Sequence, residues 1–146
     1  MKSENWIGYY IFGWGYYLPL FGTREPFELK VTYNESEFTG HSIEAVHREF
    51  DEFPVMEVVG YFEEDYIRFT KFCNKINVVD ENGERSIEKG KMQIDYEGYF
   101  DKKQNLYLGN WNLYVNEEED VSGSGLWLMK ENLLNQDIFG SIENLF

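Results

Sequence analysis

Two charged residues sit on strand faces that are otherwise apolar, and they are the first candidates for chemistry. Lys71 shares its face with Ile67 and Phe69, and Glu44 shares its face with Phe38 and Gly40. If those faces point inward both charges are buried, and a buried charge is costly unless it is paired. The expectation is that Lys71 and Glu44 meet each other or a ligand. The competing reading turns the face outward locally, or lets Lys71 snorkel from a rim. The remaining candidates offer less. His41 and His47 lie about 20 Å apart in an extended strand at roughly 3.3 Å per residue, too far to share a metal ion unless the chain bends. Cys73 ends a strand without a nucleophile signature and is expected as an inert thiol. Gly123-Ser124-Gly125 lacks the strand–turn–helix context of a phosphate loop. The run from Glu117 to Asp120 lacks the spacing of a calcium loop. No catalytic motif, metal site or cofactor site is therefore expected, and the chain is expected not to be an enzyme.

The elements that would position these residues are strands. Period-two alternation recurs over Trp6–Tyr17, Phe27–Tyr33, Glu37–Val46, Val55–Phe62, Tyr66–Phe72, Met92–Phe100, Leu106–Val115 and Gly125–Lys130, in segments rich in Tyr, Phe, Val and Ile. The pattern predicts an all-β chain: an eight-stranded antiparallel up-and-down barrel, with a β-sandwich as the alternative. One domain covers 1–146, with a tail at 1–5 and a helical segment at 131–146. In that segment Leu134, Ile138, Ile142 and Leu145 fall near one helical face, and Gly140 weakens the helix by about 1 kcal/mol relative to Ala. The segment Leu133–Phe146 would plug a barrel end or offer an apolar face to a partner.

Connections alternate in length. Asn34–Ser36, Glu63–Asp65 and Asp101–Asn105 are tight, whereas Leu18–Pro26, His47–Pro54, Cys73–Lys91 and Asn116–Ser124 are long. In an up-and-down barrel the long ones gather at one end, where they would form a mouth rich in acids, and loops on a rigid scaffold commonly carry binding. Several strands also place a glycine two residues from a large side chain, as in Trp6-x-Gly8-x-Tyr10, Phe38-x-Gly40, Val58-x-Gly60-x-Phe62, Ile94-x-Tyr96-x-Gly98 and Gly109-x-Trp111. Curvature of a small barrel accounts for all of them.

Together with Pro26-Phe27-x-Leu29 and Ile67-x-Phe69-x-Lys71, this ordered set resembles the small bacterial calycin-type barrels of the avidin-like and lipocalin-like group, over about Trp6 to Lys130. The resemblance implies an eight-stranded barrel, open at one end, that binds a small molecule or serves an unassigned role. It carries over no biotin site, because the polar ligand-binding set of true avidins is not found.

Composition narrows the partners. The chain has 146 residues with 13 basic and 27 acidic side chains, a net charge of −14, and it carries 4 Trp, 11 Tyr and 12 Phe. So much aromatic surface repays the entropy of ordering a single domain. The charge argues against nucleic acid and against anionic membranes. No stretch approaches the roughly 20 apolar residues of a spanning helix, and no apolar signal core follows Lys2, so a soluble cytoplasmic protein is expected. The leading expectation is a barrel that binds a small apolar or aromatic ligand inside, with Tyr10, Glu44, Phe69, Lys71, Tyr96 and Trp111 as binding residues and Trp6 and Phe38 in the wall. The alternative is an acidic interaction module that inhibits or protects a basic protein.

Overall fold

The computed structural model describes residues 2–18 and 20–138. Eight strands follow in chain order: β1 (Lys2–Phe12), β2 (Arg24–Asn34), β3 (Glu37–Glu44), β4 (Met56–Glu63), β5 (Tyr66–Val79), β6 (Arg85–Asp101), β7 (Leu106–Val115) and β8 (Gly123–Glu131). A single short helix, α1 (Ala45–Glu49), lies between β3 and β4 among the described residues. Each strand pairs antiparallel with the next and β8 returns to β1, so the sheet closes into an up-and-down barrel. Closure leaves no unpaired sheet edge along the wall. No helix among the described residues is long and apolar enough to cross a membrane.

Several boundaries differ from the sequence expectation, each for a physical reason. The expected tail at 1–5 is largely strand: Lys2 to Asn5 pair with Tyr33 to Lys30 of β2. Its polar residues carry no apolar alternation, and the neighbouring strand decides their conformation. β1 stops at Phe12 because Gly13, Trp14 and Gly15 turn away. The end of the third predicted strand becomes α1, in which the His47 imidazole accepts the Glu44 backbone N–H at 2.9 Å and contacts the Pro54 carbonyl at 2.9 Å. Most of Cys73–Lys91, expected as a loop, is the outer half of the β5–β6 hairpin, with a register shift between Cys73 and Lys75. Its tip is held by the Asp80 carboxylate, which accepts the N–H groups of Asn82 and Glu84 at 2.9 Å each.

The C-terminal expectation also changes. Asn132–Ile138 is turn and coil rather than helix. The rest of the expected helix, 139–146 with Gly140, Ile142 and Leu145, lies outside the described residues. The described part plugs no barrel end. Asn132 ties the turn together through Gln136, and Ile138 packs beside Ile7 and Ile43 on the outer wall.

Inside the barrel the alternation resolves into a continuous aromatic core. Phe27, Leu29, Phe38, Val58, Ile67, Phe69, Tyr96, Trp111, Trp127 and Met129 are buried there. Fully burying each large apolar side chain stabilises by about 1.5–3 kcal/mol. The same-face glycines make room for the rings. A methyl group at Gly60 would stand 2.6 Å from the Phe38 ring, and one at Gly98 would stand 2.9 Å from the Trp127 indole. The indole N–H of Trp127 reaches the carbonyls of Glu97 and Asn110 at 3.1 and 3.0 Å, so its buried polar atom is paired.

The two ends are finished differently. At the long-loop end, expected as a mouth, Val46 of α1, Phe53, Met56, Ile76 and Met92 form a second buried cluster that caps the barrel. At the tight-turn end the last inward side chains are Trp6, Tyr33, Phe62 and Tyr107, all half-buried. Acidic side chains occur at both ends. Glu117 to Asp120 are exposed at the first, and Glu35, Glu64 and Asp65 at the second.

Candidate functional site

All six sequence-predicted site residues fall in one cluster at the middle of the barrel. The register opposes Val58 to Lys71, Lys71 to Ile94 and Tyr96 to Trp111, which points Lys71 at the barrel axis. Lys71 Nζ donates to Glu44 Oε2 at 2.5 Å and to Tyr96 Oη at 3.0 Å. The Ser42 hydroxyl donates to the same Glu44 oxygen at 2.7 Å. The ammonium stands 3.7 Å from the centroid of Phe27, 4.5 Å from Tyr96 and 5.7 Å from Tyr10. Phe69 stacks on Tyr96 at 4.6 Å, and Trp111 meets Tyr10 edge-on at 5.9 Å.

This cluster is completely closed to solvent at Lys71, with Glu44 4% exposed. Burial pushes the Lys71 pKa down, and the Glu44 carboxylate works against that shift. Burial also holds the Tyr10 and Tyr96 phenols well above their ordinary range, with Glu44 adding to the effect. The arrangement therefore stores a paired charge among ring faces. Lys71 itself occupies the space between those rings, and its charge partner is Glu44.

A second polar layer lies toward the long-loop end. Tyr10 donates to Glu25 Oε2 at 2.8 Å, and Glu25 is ion-paired with Arg85, which also reaches Glu49 at 3.6 Å. Arg85 and Glu25 were assigned by the sequence pattern to solvated loops; both are mostly buried, with side chains 11% and 14% exposed. Alternation counted back from Tyr96, Ile94 and Met92 puts Arg85 on the outer face, and the strands shift register between Cys73 and Lys75, so strand pattern alone does not find it. Ser42 is readable by alternation, two residues before Glu44 on one strand face. His41 is exposed, and His47 is bound into the α1 turn. Cys73 is half-buried, and burial pushes its thiol pKa up.

Open space lies elsewhere. A cleft of about 680 Å³ opens at the tight-turn end over Trp6, Tyr33, Phe62 and Tyr107, with Lys2, Glu4, Asn34, Glu35 and Ser36 around it. The rings form its floor: Phe62 lies 5.6 Å from both Tyr33 and Tyr107, and Trp6 lies 5.7 Å from Tyr107. A hydrogen-bond chain runs along one side, from Trp6 Nε1 to Tyr33 Oη at 2.8 Å and from Tyr33 Oη to Glu4 Oε2 at 3.2 Å. Burial, with Glu4 beside it, raises the Tyr33 phenol pKa and keeps the hydroxyl a donor. A larger cleft of about 860 Å³ lies on the outer wall over Gly98 and Gly109, where strands carry no side chain. The tight-turn cleft joins a floor of four rings to partly buried polar groups. The sequence marks Phe62 only as the ring beside Gly60 and does not mark Tyr33 or Tyr107, although each of the three is the inward residue nearest its tight turn.

The interior network makes two testable claims. Lys71→Met is expected to lower the unfolding free energy by about 3–5 kcal/mol, because it leaves Glu44 buried without its cation. Replacing both partners by apolar residues, Lys71→Met with Glu44→Leu, is expected to recover most of that loss in urea denaturation. A loss below about 1 kcal/mol for the single variant would show that Glu44 does not depend on Lys71.

The second claim concerns alkaline pH. Burial raises Tyr16 to about 12, and Tyr10 and Tyr96 are also raised. Above about pH 10 the unfolded chain releases phenolic protons that the folded barrel retains, so stability falls as pH rises, by up to about 1.4 kcal/mol per pH unit for each such group. The lowered Lys71 pKa acts with the opposite sign, and only below its unfolded value of 10.5. Urea midpoints taken from about pH 9 to about pH 12 are expected to drop, and Tyr16→Phe to flatten the fall. Tyrosinate absorbance from the buried rings should rise together with unfolding rather than before it.

The closed eight-stranded antiparallel barrel is consistent with a calycin-like architecture. No protein-family model, no curated protein and no solved structure matches the chain.

Proposed function

We propose that this protein is a calycin-type binding barrel, not an enzyme, and that it holds a small molecule with an apolar or aromatic body in the tight-turn cleft. The observation that carries this reading is the floor of four rings, drawn from four strands, beneath open space at one barrel end. Ligand sites are mostly apolar concavities with a few placed polar groups, and Tyr33 and Glu4 supply those here. Packing favours that cleft over the barrel centre, where Lys71 and the surrounding rings already fill the axis. The floor is held from below, since Phe62 also packs on Phe38 at 5.1 Å, so little ordering is left for binding to impose.

The test is titration with indole and with benzyltrimethylammonium, followed by isothermal calorimetry and by fluorescence of Trp6. Binding of at least one probe is expected, weakened about tenfold or more by Phe62→Ala or Tyr107→Ala, since each removes a ring face worth about 1–2 kcal/mol. Binding that ignores both variants but disappears with Tyr10→Phe would move the site to the interior and overturn the reading.

A second reading has its own observation. The β1–β2 connection displays Trp14, Tyr17, Leu18 and Phe21 at 64%, 63%, 76% and 53% exposure. It is nonetheless shaped, with Ser124 N–H donating to the Trp14 carbonyl at 2.9 Å and Phe21 N–H to the Tyr17 carbonyl at 3.0 Å. Next to it runs the acidic β7–β8 connection, Glu117 to Asp120. Aromatic anchors with a charged rim are the make-up of protein interfaces, and a basic protein with an apolar socket fits this one. Trp14→Ser with Phe21→Ser is expected to remove binding of a Lys- and Leu-rich amphipathic peptide, and added salt to weaken it. Equal binding of a Glu-for-Lys version of that peptide would sink the idea.

A further inference from the structure

The tight-turn cleft carries information about the charge of its ligand. We infer that the cleft selects an organic cation, a trimethylammonium-type group seated on the faces of Trp6, Phe62 and Tyr107 with Glu4 as its counter-charge. This rests on the small-molecule reading above and names the class of ligand within it. Aromatic faces carry negative electrostatic potential and attract cations that are weakly hydrated. The rings of the floor are mutually inclined: 64° for Trp6 against Tyr107, 47° for Phe62 against Tyr107 and 39° for Trp6 against Phe62. Rings inclined to one another cannot all lie against one flat guest, whereas a round ammonium head presents the same charge to each face.

The carboxylates around the cleft point the same way. The Glu4 side chain is only 13% exposed, receives the Tyr33 hydroxyl, and holds the Lys2 ammonium at 2.9 Å. The chain thus already places a cation of its own against Glu4. Lys2 is 76% exposed, so this is a weak, displaceable partner. Burial raises the Tyr107 phenol pKa, with Asp65 and Glu4 adding to the effect, and Glu35 lines the rim. The net charge of −14 adds a long-range field that draws cations in. The interior shows that this sequence can hold an ammonium in such surroundings: Lys71 stands among Phe27, Tyr96 and Tyr10 with Glu44 as its carboxylate partner. At the barrel end the same recipe is assembled, with the ammonium supplied by Lys2 from outside.

The experiment compares benzyltrimethylammonium with neopentylbenzene, its neutral carbon isostere, and with indole, by calorimetry on the full chain. The cation is expected to bind about tenfold or more tightly than the isostere, the size of a cation–π and carboxylate contribution of about 1–2 kcal/mol. Glu4→Gln is expected to weaken the cation about fivefold to tenfold and leave indole unchanged. Lys2→Met is expected to tighten the cation by about twofold to fivefold, because it removes the internal competitor. Far-ultraviolet circular dichroism of both variants checks that the barrel is intact. Equal affinity for cation and isostere, or a Lys2→Met protein that binds the cation less well, overturns the cation assignment while the cleft stands. If no probe binds and Phe62→Ala changes nothing, the cleft itself fails.

Discussion

A lysine ammonium with no exposure to water sits on the axis of this barrel, 2.5 Å from a carboxylate that is itself almost fully buried. Taking two such charges out of water costs several kcal/mol each, and their attraction repays the cost only when geometry is good and the remaining lone pairs are used. Here Ser42 and Tyr96 supply the further hydrogen bonds and three rings supply their faces. Five strands must hold their register for that set to form: β3 brings Ser42 and Glu44, β5 brings Lys71, β6 brings Tyr96, β2 brings Phe27 and β1 brings Tyr10. A slip of one residue in any of them would turn its side chain to the outside. The ion pair is a weak source of net stability, but a misregistered barrel would leave one of the two charges buried without its partner.

The rest of the interior follows from that centre. Because an ammonium fills the middle, the barrel has no need of a ligand there, and the aromatic side chains pack outward from it in both directions. Toward the long loops they meet Arg85, Glu25 and the cap of α1. Toward the tight turns the last ring layer is left, among the described residues, half-buried beneath open space. The asymmetry comes from chain length. Long connections have enough residues to fold back over their end, whereas connections such as Glu35-Ser36 and Glu64-Asp65 reach across to nothing. The end with the elaborate loops is therefore the closed one, which reverses the usual expectation that long loops mark the mouth.

Sequence patterning carried the architecture well and the ends poorly. Alternation in Val55–Phe62 or Leu106–Val115 reports which face is buried, because one side of a barrel strand meets rings and the other meets water. The same rule placed Lys71 and Glu44 on an inward face, and their encounter needed only the strand number and order. It failed for Lys2 to Asn5 and for the outer β5–β6 hairpin, since pairing there is dictated by neighbouring strands and not by an apolar stripe. It also failed to rank Tyr33, Phe62 and Tyr107. Their periodicity is the same as that of any wall residue, and their exposure depends on turn length and on what packs above them. The tail shows a different limit: Leu134 and Ile138 fit a helical period, yet Ile138 is buried by a three-residue contact on the outer wall that no local pattern encodes.

Rigidity at the centre and openness at one end are coupled. The tight-turn rings are not a separate module: Phe62 packs on Phe38, Phe38 on Phe69, and Phe69 stacks on Tyr96, which accepts the hydrogen bond of Lys71. Each ring in this series has one neighbour deeper in the barrel, so Phe62 is braced, through Phe38 and Phe69, against the residues that hold Lys71. A ring braced in this way would lose little entropy on meeting a guest. Loosening the centre would free the tilt of Phe62 from a distance, through rings alone. The charge in the middle of the aromatic core is thus tied by packing to the open space at one barrel end.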